Sequence, residues 1–398
     1  MMLDTGPSNT VWAVAFHPDG VHLLSGSSDG MRRWRLVDGQ EVGKQGMYPT
    51  TAISVSRDGK WIVCVTTTGA SVWDEKIQEK AIEVDGTQNV DAVDISPDAA
   101  RFATGGIDTA SIWNIVTGER LVGPLQHHYG VAGVKFSPNG DHVATACEDS
   151  IRVFDSRNGD QLITINADLD VHSRPITPLG WSNNGQQIFA AFHNNKIKAF
   201  EASTGSLLAE SRVRSLHTGD DSEFRRCIAV AANGTFLATF APNAISFWDA
   251  STLARIGPVI EESQKLRSIA LSADCSYVAT GRNDGKITIR NLGDIAFEAP
   301  CAEEYHDTVE SSSGVPMVKR WLQAVIRRGN KNQCLHQPDR LSREPGQPTH
   351  PRSCSNSQVI GNTENEGPSR IAASVSRVGT LFFSRQTVCA MCLTNHLR

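Results

Sequence analysis

Residues 131–165 read VAGVKFSPNGDHVATACEDSIRVFDSRNGDQLITI, and this stretch decides the fold. Val131 to Phe136 carries apolar residues on both faces, as expected of a strand whose sheet is covered on both sides. Ser137-Pro138-Asn139-Gly140 reads as a turn, because Pro fixes φ and Gly accepts a positive one. His142 to Ala146 is a second strand, and Glu148-Asp149-Ser150 turns the chain again. Ile151 to Phe154 is a third. Ser156-Arg157-Asn158-Gly159 then leads into a fourth, Gln161 to Ile165.

The same pattern recurs on both sides of this stretch. Its most visible mark is the aromatic that closes the third strand: Trp34, Trp73, Trp113, Phe154, Phe200 and Trp248, with Arg290 where the aromatic is lost. Successive spacings are 39, 40, 41, 46, 48 and 42 residues. One small sheet cannot bury both of its faces, but stacking it against copies of itself does so continuously, and closing the stack into a ring protects the ends. First strands are expected near Trp12–Phe16, Ala52–Val55, Val93–Ile95, Val134–Phe136, Leu179–Trp181, Ile228–Val230 and Ile269–Leu271. Blade seven needs a fourth strand. Ile295-Ala296-Phe297 and the N-terminus near Leu3 both qualify, and either closure is short.

Trp73-Asp74 and Trp248-Asp249 keep a Trp-Asp ending, while Trp113-Asn114, Phe154-Asp155 and Phe200-Glu201 are softened copies. With a period near forty, this resembles the WD40-repeat family. The local style is most similar to the divergent WD40-repeat proteins expanded in fungi. The resemblance covers residues 1 to about 297 and implies an all-β, seven-bladed propeller. It also implies a structural tetrad of His, Ser/Thr, Asp and Trp. Blade four offers His127 or His128, with His128 assigned, beside Thr145, Asp149 and Phe154. Blades one and three offer Ser25, Asp29 and Trp34, and Thr104, Asp108 and Trp113. Trp73, Trp248 and Asp284 are structural in the same sense.

The chain has 398 residues and a net charge of −5. From Cys301 on, 12 Lys/Arg stand against 8 Asp/Glu, about +4, which leaves about −9 on the first 300 residues. A ring of that charge is not a basic nucleic-acid surface. The start, Met1-Met2-Leu3-Asp4, shows no basic and apolar leader pattern, and no apolar run of 18 residues suits a membrane span. Nine cysteines lack framework spacing; Cys64, Cys147, Cys227 and Cys275 fall in or beside strands, where a thiol is a small hydrophobe. A reducing compartment, cytoplasmic or nuclear, is the expected setting.

The two longest spacings arise in connectors between blades. Residues 166–175 lead into blade five and 211–223 into blade six. Antiparallel order puts both on one face of the ring, which the resemblance implies is the partner-binding face. The contact residues expected there are Asp168, Asp170, His172, Arg212, Arg214, Leu216, Asp220, Asp221, Glu223, Phe224, Arg225 and Arg226. Phe224 and Leu216 are the sizeable apolar anchors, since a few large buried groups carry most binding energy. Asp168, Asp170 and His172 alternate, so an extended segment points all three one way. That arrangement suits a hard cation or an acid–base pair, and it defines a second reading, a metal-dependent propeller hydrolase. A solvated loop explains the same residues.

Residues 299–398 form the second region. They are rich in Ser, Pro, Gln, Asn and Arg without sustained period, so they read as a low-complexity, disordered tail that builds no core. Residues 316–328 are the exception, a short amphipathic helix ending at Gly329. Cys389, Cys392 and His396 fall short of a four-ligand zinc site. The sequence therefore reads as a non-catalytic scaffold for a protein or peptide, with no cofactor, no metal, no small-molecule substrate, no membrane and no nucleic-acid partner. A detached sensor propeller of a larger signalling protein is the other reading.

Overall fold

The computed structural model describes residues 1–295 except 7, 8, 46, 47, 76–78, 85, 88, 89, 148, 167–174, 193–195 and 213–227. Seven antiparallel four-stranded sheets make up these residues. Blade one runs Val11–Phe16, His22–Ser27, Gly30–Arg35 and Glu41–Gln45. The first strands of blades two to seven are Thr50–Val55, Val90–Ile95, Gly133–Phe136, Pro175–Trp181, Ile228–Val230 and Leu266–Leu271. They fall where the repeat places them. In blade four the strand begins two residues later than the apolar run, because Val131 N–H is spent on Gly106 O, at the end of blade three's second strand.

The core is divided among the seams. One apolar cluster joins Leu24 and Met31 of blade one to Ile62 and Cys64 of blade two. Another joins Val63 and Val72 to Phe102 and Trp113, and a third joins Ile112 and Val122 to Phe136 and Phe154. The remaining seams follow suit, including that between blades seven and one, where Leu3, Ile287 and Ile289 pack on Val11, Leu23 and Trp34. Each blade therefore has its partner's surface as its solvent, as nearest-neighbour stacking requires.

The N-terminus closes the ring. The seventh sheet orders Met2–Asp4, Lys286–Asn291, Tyr277–Arg282 and Leu266–Leu271. Met2, Leu3 and Asp4 pair with Thr288, Ile287 and Lys286. Beyond them, Met1 and Ile289 exchange backbone bonds of 2.7 and 2.8 Å, and Thr5 N–H reaches Gly285 O at 2.8 Å. Ile295 instead packs against the cluster between blades six and seven, while Ala296 and Phe297 lie outside the described residues.

The third-strand aromatic is fastened the same way in four blades. Trp34, Trp113 and Trp248 each donate their indole N–H, at 2.8 Å, to the hydroxyl nine residues earlier: Ser25, Thr104 and Thr239. Trp73 uses the Cys64 thiol at 3.2 Å. Replacing Trp248 with Phe keeps the apolar ring but strands the buried Thr239 hydroxyl, which costs about 1–2 kcal/mol. Adding Thr239→Val should recover part of that loss in urea unfolding. A double variant no more stable than Trp248→Phe alone would remove the hydrogen bond from this account.

Candidate interaction face

Strand polarity sorts the loops. Turns between first and second, and third and fourth, strands lie on the lower face. Turns between second and third strands, and the connectors to the next blade, lie on the upper face. The connector into blade five leaves the fourth strand Gln161–Asn166 and returns at Pro175; that into blade six leaves Leu207–Arg212 and returns at Ile228. The strand ends that they join lie at the upper face, on adjacent blades.

Of the expected contact residues, Arg212 is described. It is exposed and pairs with Lys196 in the blade-five ladder. Asp168, Asp170, His172, Arg214, Leu216, Asp220, Asp221, Glu223, Phe224, Arg225 and Arg226 lie outside the described residues, as do the tail, its 316–328 segment and Cys389, Cys392 and His396. Beneath Arg212, Lys198 is 2% exposed, with its Nζ 3.7 Å from Glu210 and 4.9 Å from the Phe192 ring centre.

The residues read as structural tie turns to strands. Asp29 accepts from Ser27 Oγ at 2.7 Å and Lys44 Nζ at 3.0 Å, and also pairs with Arg32. Burial opposes its charge, but the Ser27 and Lys44 bonds hold its carboxyl below the usual range. Asp149 accepts from Cys147 Sγ at 3.0 Å and Ser150 Oγ at 2.7 Å. Asp284 accepts from Arg282 at 2.7 Å. Asp108 is exposed and left-handed at φ 59°, and its carbonyl rather than its carboxylate does the tying, accepting His127 N–H at 2.8 Å. The buried imidazole of blade four is His127, not His128. Leu125 and His127 turn inward as alternate residues, which leaves His128 in solvent.

His127 Nδ1 lies 3.5 Å from Cys147 Sγ, and with Asp149 beside it the trio has the outline of a nucleophilic triad. Its electrostatics run the other way. Burial raises the Cys147 thiol's pKa, and burial together with Arg152 pushes that of His127 down to about 4. Both groups are neutral at pH 7, whereas a Cys nucleophile needs its thiolate. With Cys147 1% and His127 6% exposed, these two are core, and Asp149 is half-buried at their edge. Among the described residues no group of three or more His, Cys, Asp or Glu is placed to hold a metal ion.

Three features of this face escaped the pattern reading. Tyr48 and Tyr129 in connectors, and Ile107 at a turn tip, are 54%, 48% and 61% exposed. The bonds His127 N–H to Asp108 O and Val131 N–H to Gly106 O clasp the loops that carry Ile107 and Tyr129, so these two loops are neighbours. A large apolar residue at a turn tip was the available signal. In blade seven, Arg290 has Gly281 nine residues earlier instead of a hydroxyl. It turns to the buried Glu262 at 2.7 Å, which lies 3.7 Å from Arg282. Down the axis, first strands enclose a channel of about 740 Å³ whose lining includes Trp12, Val14, Ile53, Val93 and Leu179.

These sheets define a closed seven-bladed β-propeller assembled from sequence repeats. The family model described as WD domain, G-beta repeat, matches residues 2–31 and 119–155, so the chain is similar to WD40-repeat propellers. It is 26% identical over 259 residues to a guanine nucleotide-binding protein subunit beta of Arabidopsis thaliana, covering 58% of this chain and 67% of that protein. It is 26% identical over 183 residues to eukaryotic translation initiation factor 3 subunit I of Lodderomyces elongisporus, covering 42% and 52%. Protein groucho of Drosophila melanogaster is 24% identical over 215 residues, covering 51% of this chain and 28% of that one. The chain thus spans about half to two thirds of the first two relatives. Among the described residues no helix is long and apolar enough to cross a membrane.

Proposed function

We propose that this propeller is a non-catalytic scaffold that captures a protein or peptide on its upper face, in the cytoplasm or nucleus, without cofactor or metal. The observation that carries the reading is the placement of the two long connectors. Each joins the end of an outer fourth strand to the start of an inner first strand, and these ends lie on one face of neighbouring blades. Their mixed charge, with Arg212, Arg214, Arg225 and Arg226 beside Asp168, Asp170, Asp220, Asp221 and Glu223, favours fast and selective encounter over raw affinity. Phe224 and Leu216 then supply the buried anchors, and Ile107 and Tyr129 extend the contact toward blades three and four. Two of the relatives support a scaffold by their kind, since both are named as subunits.

Arg225→Glu with Arg226→Glu is expected to cut capture of the partner at least tenfold in a pull-down, with the far-ultraviolet circular dichroism of the ring unchanged. Removing residues 212–222 should do the same. Capture that survives both changes places the site elsewhere, and the clasped pair Ile107 and Tyr129 is then the next surface to alter.

A further inference from the structure

The lower face carries an apolar patch at the seam where the ring closes. Val37, at the tip of blade one's last turn, is 81% exposed; Val21 is 45%, Met1 51% and Tyr277 37% exposed. These side chains share one place. Leu36 N–H donates to Val21 O at 2.8 Å, which joins the two valine loops. Gly39 of the same turn packs so closely on the closing strand that a Cβ there would sit 3.1 Å from Met1 Sδ and 3.0 Å from Leu3 Cδ2. Val278 buries toward blade six, so its neighbour Tyr277 points the other way, toward the seam. Isolated exposed apolar residues need no explanation, but four converging on one seam mark a contact surface.

The chain leaves the ring from the same blade but on its other side, where Ile295 packs between blades six and seven. Leu292 N–H donates to Ser276 O at 2.8 Å, one residue from Tyr277, and the described chain ends at Ile295. Some twenty residues later comes Pro316-Met317-Val318-Lys319-Arg320-Trp321-Leu322-Gln323-Ala324-Val325-Ile326-Arg327-Arg328. Val318, Trp321, Leu322 and Val325 recur at i, i+3, i+4 and i+7, the spacing of one helical stripe. Lys319, Arg320, Arg327 and Arg328 supply four positive charges. The patch is bordered by Asp19, Asp38 and Asp274, each within three residues of a patch side chain; Asp19 also pairs with His22 and Asp38 with Arg35, and the Met1 ammonium donates to Ile289 O. Apolar character and charge sign match.

We propose that residues 316–328 of this same chain dock on the Met1, Val21, Val37 and Tyr277 patch, with the apolar stripe inward and the basic side chains toward the bordering carboxylates. Reach is not a barrier. A random coil of about twenty residues has an end-to-end distance of roughly 25 Å, and a tether of that length sets an effective concentration in the millimolar range. Modest intrinsic affinity therefore suffices. The docked segment covers the closing strand on the lower face and leaves the upper face clear, so the inference stands apart from the partner proposed above.

Chymotrypsin cleavage after Trp321 in the full-length protein tests it. Val37→Lys removes the most exposed apolar contact, adds a charge of the segment's own sign and sits in solvent, so the ring should stay folded. Cleavage after Trp321 is expected to accelerate at least fivefold. In the reciprocal experiment, Trp321→Ser should speed hydrogen exchange at the amides of Val37 and Asp38. Equal cleavage rates and unchanged exchange, with the ring folded, overturn the proposal. Protection of Trp321 that disappears on hundredfold dilution also overturns it, because the segment would then be reaching a second copy.

Discussion

Deleting residues 1–5 is expected to cost the ring at least 3 kcal/mol of unfolding free energy. The reason is the number of unrelated interactions these residues concentrate. Leu3 is 3% exposed within the seam cluster that joins blades seven and one, and Leu-to-Ala changes at such sites alone cost about 2–5 kcal/mol. Thr5 is equally buried, and its hydroxyl donates to Gly285 O at 2.7 Å. The carbonyl of Thr5 accepts from Arg32 at 2.7 Å, which links the closing strand to blade one. Without them, Lys286–Asn291 becomes an unpaired edge strand with an apolar face, the situation that closed rings avoid. Urea titration followed by far-ultraviolet circular dichroism reads the loss. Leu3→Ala should reproduce most of it, and Met2→Lys almost none, because Met2 is 55% exposed. An unchanged urea midpoint in the deletion would show that the seam holds without its fourth strand.

What the sequence discloses follows from how local each feature is. The repeat of the third-strand aromatic locates all seven blades, because strand, turn and strand are set within forty residues. The hydroxyls that fasten Trp34 and Trp113 were equally visible, since a residue nine earlier sits on the same face of the ladder, two positions along from the tryptophan's direct partner. Closure was not decided locally. Leu3 and Ile287 are separated by nearly the whole ring, and Ile295 had the same apolar character, so only packing chose between them. The choice between His127 and His128 depended on which parity the fourth strand Arg120–Gln126 carries past two register shifts. Glu262 escaped because a carboxylate in a connector reads as solvated until Arg290 and Arg282 are seen around it. The expected contact residues stay largely a matter of sequence, because the connectors that bear them fall outside the described residues.

Blade four should make the protein sensitive to mild acid. His127 is 6% exposed, its Nε2 is buried without a hydrogen-bond partner, and its ring meets Phe154 edge-on at 5.8 Å. The groups facing it are Cys147, Asp149, Arg152 and His128. Burial and the Arg152 charge outweigh Asp149 and push its pKa from 6.5 to about 4. A group whose folded pKa is lowered leaves the unfolded chain binding the extra proton between those two values. Stability is then intact above about pH 6.5 and falls as pH drops toward 4. Between pH 7.5 and 5 the loss is expected to be about 2 kcal/mol. The depressed carboxylates Asp29 and Asp149 lose their contribution at lower pH, since both lie below an ordinary value of 3.8, so they do not mask this window. His127→Gln removes the titration, and its urea midpoint should shift much less than that of the parent between the two pH values. Equal shifts in parent and variant would assign the acid sensitivity to another group and leave His127 as a packed ring with no electrostatic consequence.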